Sequence, residues 1–252
     1  MKHLFLMGNK RSGTSLLGRV LSLHPAVFVA PEADVAWILY CLSTGQPPTP
    51  YPNDGPRGLE RTMEAYGDLV QRPFTDLAAR GDELLKALAE ACSRNFGALA
   101  WVGDKKPEQH ADPRVFDLLC KLYPDAHFIH IVRHPAAFAR SVEKRIEFTR
   151  PGALLPDRAA TYARWVRTEK WVLEHKAAGR APIQSVSYED LMQAPAKTAS
   201  EIFKFLELDV SCQTEQQIVF AIDPNRESRH GEPPPSDVPD DALTIAAHYN
   251  SQ

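Results

Sequence analysis

Gly8-Asn9-Lys10-Arg11-Ser12-Gly13-Thr14-Ser15 stands between an apolar run, Leu4 to Met7, and apolar residues at helical spacing, Leu16, Leu17, Val20, Leu21 and Leu23. The run reads as a strand buried on both faces, and the spacing as one face of a helix that His24-Pro25 ends. Strand, glycine-containing turn and helix form the opening of a βαβ unit. Amides of such a turn point inward and the helix start adds partial positive charge, so the segment grips a phosphate or sulfate group of a nucleotide whatever its side chains are. The competing reading is a plain turn with an incidental arginine.

The segment nearly matches the phosphate-loop pattern G-x-x-x-x-G-K-[ST], with Gly8, Gly13 and Ser15 in register but Thr14 where the lysine belongs. Lys10 and Arg11 bring cations to the loop instead. Thr14 argues against nucleoside-triphosphate hydrolysis, which also needs an Asp closing a neighbouring strand to hold magnesium. The best neighbouring strand, Ala126 to Val132, ends in Arg133. No metal is expected.

Outward from this loop, strands and helices alternate. Val27 to Val29 reads as a short strand before Pro31-Glu32, and Val35, Ile38, Leu39 and Leu42 mark a helix. Helices are predicted at 59 to 71 and 82 to 96, a strand at Ala98 to Val102 running into Gly103-Asp104-Lys105, and a helical face at Val115 to Leu122. Further helices are predicted at 136 to 146, 158 to 178 and 195 to 207, with a last core strand at Ile183 to Tyr188. Pro/Gly-rich stretches near 45–58 and 149–156 read as loops, the first as a loop or lid, and an irregular tail is expected from about 225. This pattern predicts a three-layer α/β fold: a mostly parallel sheet flanked by helices, in a single domain over 1–252. Ligands of such sheets sit beyond the carboxyl ends of the strands, so the loop, Lys105 and Arg133 should converge.

Composition narrows the partners. The chain has 252 residues, 44% hydrophobic and 24% charged, with formal net charge −3, which gives no bulk attraction to nucleic acid or an anionic membrane. No run of about 18 apolar residues predicts membrane insertion. Cys41, Cys92, Cys120 and Cys212 have neither metal-ligand nor disulfide-framework spacing, and free thiols fit a reducing compartment, so the expected location is the cytoplasm.

Arg133-His134-Pro135 and Ser141 form a second constellation. Arg133 at a strand end could clamp a second phosphate through its guanidinium, or be only a surface ion pair. Ser141 alone is an ordinary helix serine. Together with the loop, these residues carry a resemblance. Arg11 to Leu16 resembles the 5′-phosphosulfate loop of sulfotransferases that use 3′-phosphoadenosine 5′-phosphosulfate (PAPS), and Arg133 with Ser141 eight positions on resembles their 3′-phosphate motif. The branch that includes the tyrosylprotein sulfotransferases has R-S-G-T-T-L, an H-P and a Glu, similar in spacing to Arg11–Leu16, His24-Pro25 and Glu32 here. Asp104-Lys105-Lys106-Pro107 resembles the family's N-K-D-P, and Tyr188-Glu189-Asp190-Leu191 its Y-E-D-L.

The resemblance spans about residues 3 to 208 and implies roles. Glu32 would be the catalytic base, with Lys105 and Arg11 at the transferred group. Lys10, Arg11, Ser12, Gly13, Thr14 and Ser15 would hold the phosphosulfate, Arg133 and Ser141 the 3′-phosphate, and Tyr188 would lie near the nucleotide. The implied reaction moves a sulfuryl group from PAPS to an acceptor hydroxyl on a small molecule, glycan or tyrosyl group. A homodimer is left open, as is closure of Arg226 or Arg229 over the nucleotide. Asp104 for Asn and Lys106 for Asp set the chain apart from animal tyrosylprotein enzymes, whose luminal anchor and disulfide pair are not expected here. On the residues alone, Glu32 is also a favourable first-turn carboxylate for the next helix. His24, His110 and His134 compete for the base role, whereas His127 and His130 are expected as packed core histidines. A small-molecule kinase with a degenerate loop and a non-catalytic nucleotide-binding module are the rival classes. Trp37, Tyr40, Tyr51, Phe74 and Phe148 hint at an apolar or aromatic acceptor, or are simply core.

Overall fold

The computed structural model describes residues 1–52, 56–222 and 237–250. Strand β1 (Lys2–Met7) leads through α1 (Thr14–Leu21) to β2 (Val27–Pro31), then through α2 (Val35–Ser43), α3 (Arg57–Gln71) and α4 (Leu77–Ala91) to β3 (Trp101–Lys105). After α5 (Pro107–His110) and α6 (Pro113–Leu122) come β4 (His127–Val132), α7 (Pro135–Thr149), α8 (Arg158–Ala177) and β5 (Ile183–Ser187). The chain continues into α9 (Tyr188–Gln193), α10 (Pro195–Phe205), α11 (Cys212–Ala221) and α12 (Asp240–Asn250).

The five strands form one parallel sheet in the order β2-β3-β1-β4-β5. Strand alternation sends β1 side chains to opposite faces. Leu4 and Leu6 pack with Leu17 and Val20 of α1 and Phe203 of α10, while Phe5 and Met7 join Ile38 of α2 and Phe116 and Leu119 of α6. Helices therefore cover both faces, and the predicted three-layer α/β architecture is the observed one. Because β1 lies between β3 and β4, the turn after it opens where the winding reverses, the place where such sheets bind ligands.

Several boundaries differ from the pattern-based reading. The helix expected at 82 to 96 is α4, starting five residues earlier because the Asp76 carboxylate caps it, accepting from the Ala78 and Ala79 amides at 2.9 and 3.3 Å. The strand expected at Ala98 to Val102 is β3; Phe96–Ala98 is a 3₁₀ turn, and the strand extends through the polar but buried Asp104 and Lys105. Unanticipated α11 is capped by Ser211. The tail is not wholly irregular: α12 places Ala242, Ile245 and Tyr249 against Phe138 of α7 and Trp165 of α8. Arg226, Arg229 and Pro233-Pro234-Pro235 lie outside the described residues. Among the described residues, no helix is long and apolar enough to cross a membrane.

Candidate active site

The turn after β1 is built from backbone in unusual conformations. Gly8, Arg11 and Gly13 have φ of 135, 81 and 100°. A Cβ on Gly8 would lie 2.6 Å from the Ile131 carbonyl oxygen, and one on Gly13 2.3 Å from the Tyr188 ring, so both positions exclude a side chain. Gly13 precedes α1 and its carbonyl accepts from the Leu16 and Leu17 amides at 2.9 and 3.0 Å, which leaves the Thr14 and Ser15 amides at the helix start without an intrahelical acceptor. The turn is anchored from below by Asn9, fully buried, whose amide donates to Glu169 Oε1 of α8 at 2.9 Å. The other Glu169 oxygen lies 3.0 Å from His130 Nε2 of β4.

Arg133, just past β4, reaches the same turn. Its guanidinium lies 4.3 Å from the centre of the Tyr188 ring and donates to the Arg11 carbonyl at 3.5 Å. Trp165 Nε1 holds the Arg133 carbonyl at 3.0 Å, and the Glu189 carboxylate accepts from the His134 amide at 3.0 Å. Tyr188 is thus wedged, nearly buried, between the glycine turn and Arg133. Ser141 is half-buried two turns into α7, and its hydroxyl bonds no described residue. Lys10 is turned to Glu108 of α5, with Nζ and Oε2 3.0 Å apart. Ser12 and Thr14 are buried in the turn, and Arg11 and Ser15 are exposed.

On the other side of the turn, Lys105 ends β3 with its side chain 5% exposed. Its ammonium donates to Ser15 Oγ at 3.1 Å and to Glu32 Oε1 at 2.6 Å, linking the start of α1 to the end of β2. Glu32 is more than half exposed. It is not in the first turn of α2, which begins at Val35; Glu32 and Asp34 both sit in left-handed backbone, φ 53 and 57°. That conformation costs a non-glycine residue about 1 kcal/mol or more, and such outliers persist only where the surroundings impose them. Here the surroundings are buried and polar. Lys106 Nζ lies 3.0 Å from Asp34 Oδ1, which also accepts from Gln109, and Asp104 Oδ2 accepts from the Val35 amide at 3.0 Å. Burial pushes the Asp34 carboxyl above its ordinary range, and the adjacent Lys106 ammonium opposes that rise.

A cleft of about 550 Å³ opens from the Glu32–Lys105–Ser15 chain along α1 and β2, walled by Gly18, Phe28, Val29 and Pro31 and bordered by Arg19, Arg61 and Arg94. The structure thus joins Glu32, Lys105, Ser15, Arg11, Arg133 and Tyr188 around one turn. It leaves Ser141 unattached and directs Lys10 elsewhere. Other histidines have structural partners: His24 donates to the Asp209 carbonyl at 3.0 Å and accepts from the Ala26 amide, and His110 pairs with the Leu6 carbonyl. His130 is fully buried as expected, but His127 is half-buried. The aromatic hint does not hold for Trp37, which packs on Tyr40 and Tyr51 and donates to the Thr49 carbonyl, fixing the 45–52 stretch against α2. The aromatic wall of the cleft is Phe28. No cluster of three or more His, Cys, Asp or Glu side chains suited to a metal ion occurs among the described residues.

A model of the sulfotransferase family matches residues 3–211. The chain belongs to the sulfotransferase family. It is 25% identical over 213 residues to a candidate protein-tyrosine sulfotransferase of Caenorhabditis briggsae, covering 83% of this chain and 67% of that one. The sulfotransferase domain from the curacin biosynthetic pathway superposes with a TM-score of 0.63 at 18% identity, covering 99% of this chain and 97% of that domain. Mouse sulfotransferase SULT7A1, solved with PAP, superposes at 0.51 and 16% identity, over 88% of this chain and 65% of that one. At these identities the superpositions speak for the fold, a sulfotransferase fold with a phosphate-loop-like turn.

Proposed function

We propose that this chain transfers the sulfuryl group of PAPS to an acceptor hydroxyl, with Glu32 as the base. The reading rests on one juxtaposition: an exposed carboxylate joined through a buried lysine to the Ser15 hydroxyl in the first turn of a phosphate-loop-like helix. In the proposed step the acceptor oxygen attacks sulfur in line, forming an O–S bond while the bond from sulfur to the bridging phosphate oxygen breaks. The acceptor proton passes to Glu32, and the electron pair stays on the departing 5′-phosphate of 3′,5′-bisphosphoadenosine (PAP). Lys105, Arg11 and the Gly13 to Ser15 amides offset charge on the sulfuryl and leaving oxygens. Ser12 and Thr14 shape the turn, and Lys10 adds to its field. Arg133 and Ser141 hold the 3′-phosphate, with Tyr188 bracing Arg133. Side chains and amides supply this positive field without a metal. The PAP in the mouse relative and the tyrosyl acceptor named for the nematode relative agree with this donor and acceptor chemistry.

Thermal unfolding tests the donor: PAP should raise Tm without magnesium. Protection by ATP with magnesium alone would favour phosphoryl transfer. In the same preparation, Glu32→Gln should keep PAP protection while labelled-sulfate transfer from PAPS falls by about 100-fold or more. Wild-type turnover in that variant would remove Glu32 from the mechanism.

A further inference from the structure

The cleft beside Glu32 has a charge balance unlike that of the whole chain. The protein carries formal net charge −3, yet the cleft lining holds Lys105, Arg19, Arg61 and Arg94 against a single carboxylate, Glu32. Two of the four cations are already committed. Lys105 serves Glu32 and Ser15, and the Arg94 guanidinium donates to the carbonyls of Ser22, His24, Pro25 and Val27 at 2.8 to 3.1 Å. Arg19 and Arg61 differ. Both are exposed, neither has a carboxylate partner among the described residues, and Arg61 spends only its Nε, on the Arg57 carbonyl at 3.2 Å.

Their placement follows from the helices that carry them. Ser15, Gly18, Arg19 and Ser22 share one face of α1 and line the cleft. Arg19 is one turn beyond Ser15, about 6 Å farther along the helix axis from the Lys105–Ser15 contact. Gly18 packs over the Lys105 stem and Val29, where even a Cβ would make only ordinary contacts at 3.8 Å. On α3, Gly58 lies against the Glu32 carbonyl, and Arg61, one turn on, faces the same opening. Phe28, Val29 and Pro31 add apolar surface to the cleft that the two arginines and Glu32 line. A guanidinium offers a carboxylate two parallel donors, and low-dielectric walls concentrate the field of both arginines.

We infer that the acceptor is a small molecule with an apolar body and an anionic group, a carboxylate in the simplest case, held by Arg19 and Arg61 about one helical turn or more from the hydroxyl at Glu32. This assignment names the acceptor class of the site under the sulfuryl-transfer reading and rests on that reading. A cleft of about 550 Å³ suits such an occupant.

The test compares 4-hydroxyphenylacetate with its neutral amide, which share shape and hydroxyl. With PAPS as donor, KM for the acid should be about tenfold lower than for the amide. Arg19→Gln and Arg61→Gln should each shrink that ratio, and the double variant should bring it near one, while PAP still raises Tm as in the wild type. The same pair is titrated calorimetrically onto the protein with PAP and without nucleotide, so anion selectivity is read even if PAP protection and sulfate transfer fail. Tighter binding of the acid, abolished by the double variant, supports the assignment in either state. Equal binding of acid and amide overturns it. So does a preference that survives both arginine substitutions but disappears in Arg133→Ala, which would put the carboxylate in the nucleotide turn.

Discussion

The two halves of the site are held by different physics. The half between β1, β4 and β5 is a backbone device: glycines at positive φ, first-turn amides, and buried side chains such as Asn9 and Tyr188 that lock the turn from behind. The half between β2, β3 and α3 is a side-chain device, in which left-handed Glu32 and Asp34 are fixed by Lys105, Lys106 and Gln109, and arginines border an open cleft. A backbone device keeps its shape through many side-chain changes, because amides and dihedrals are present in every residue. A side-chain device fails when one partner is lost. Under the proposed function, donor binding should therefore tolerate more substitution than acceptor positioning.

The sharpest way to break this contrast is Lys106→Met. Lys106 and Asp34 are 9 and 3% exposed in their side chains, and removing one partner of such a pair strands the other. A loss of about 3 kcal/mol or more is expected in chemical denaturation at neutral pH. The loss should depend on pH in a defined direction. Burial already raises the Asp34 carboxyl above its ordinary 3.8, and without Lys106 it rises further. Between the unfolded and folded values the native chain holds a proton that the unfolded chain has released, so the variant loses stability as pH rises through that window. Its deficit should be smaller near pH 4 than at pH 7. A pH-independent deficit would mean that Asp34 is not the group left uncompensated.

The same contrast explains what the sequence disclosed. The turn Gly8 to Ser15 was legible because glycine spacing, an apolar strand and a helical stripe are local and each has a backbone reason. Arg133 and Lys105 were legible as strand-terminal residues once the sheet was inferred to be parallel, although β3 itself was placed three residues early, since buried Asp104 and Lys105 break an apolar pattern. The Asn9–Glu169 contact joins residues 160 apart and leaves no mark in local periodicity. Likewise, nothing near Arg61 shows that α3 brings it to the cleft that Glu32 also lines. The cap at Asp76 was a missed local signal: an Asp two residues before Ala78 and three before Ala79 could have set the start of α4. Helix α12 lies beyond a proline triplet, and its packing on α7 and α8 depends on tertiary contacts rather than on a marked apolar stripe.

A pair of glycine substitutions sharpens the comparison at smaller scale. Gly13→Ala should cost about 1 to 3 kcal/mol, since the new Cβ must displace the Tyr188 ring, and it should greatly weaken PAP protection. Gly18→Ala, on the cleft side of the same helix, makes only ordinary contacts at 3.5 Å or more and should gain up to about 1 kcal/mol from helix propensity. Paired melting curves with and without PAP read both effects. Equal behaviour of the two variants would show that the turn's backbone conformation is not what holds the nucleotide.

The smallest effect is expected at Lys10, and it decides how far the backbone account extends. Lys10 is the residue closest in sequence to supplying the missing loop lysine, yet its ammonium pairs with Glu108, and its side chain is 36% exposed. An exposed pair of this kind contributes about 0 to 1 kcal/mol, less in salt. If amides and Arg11 carry the phosphosulfate, Lys10→Met should change stability by no more than about 0.5 kcal/mol and PAP affinity by less than about threefold, measured calorimetrically at low and moderate salt. A tenfold loss, shrinking as salt rises, would instead show that Lys10 leaves Glu108 for the nucleotide. The donor half would then depend on a long-range side-chain charge as the acceptor half does, and tolerance to substitution would no longer separate them.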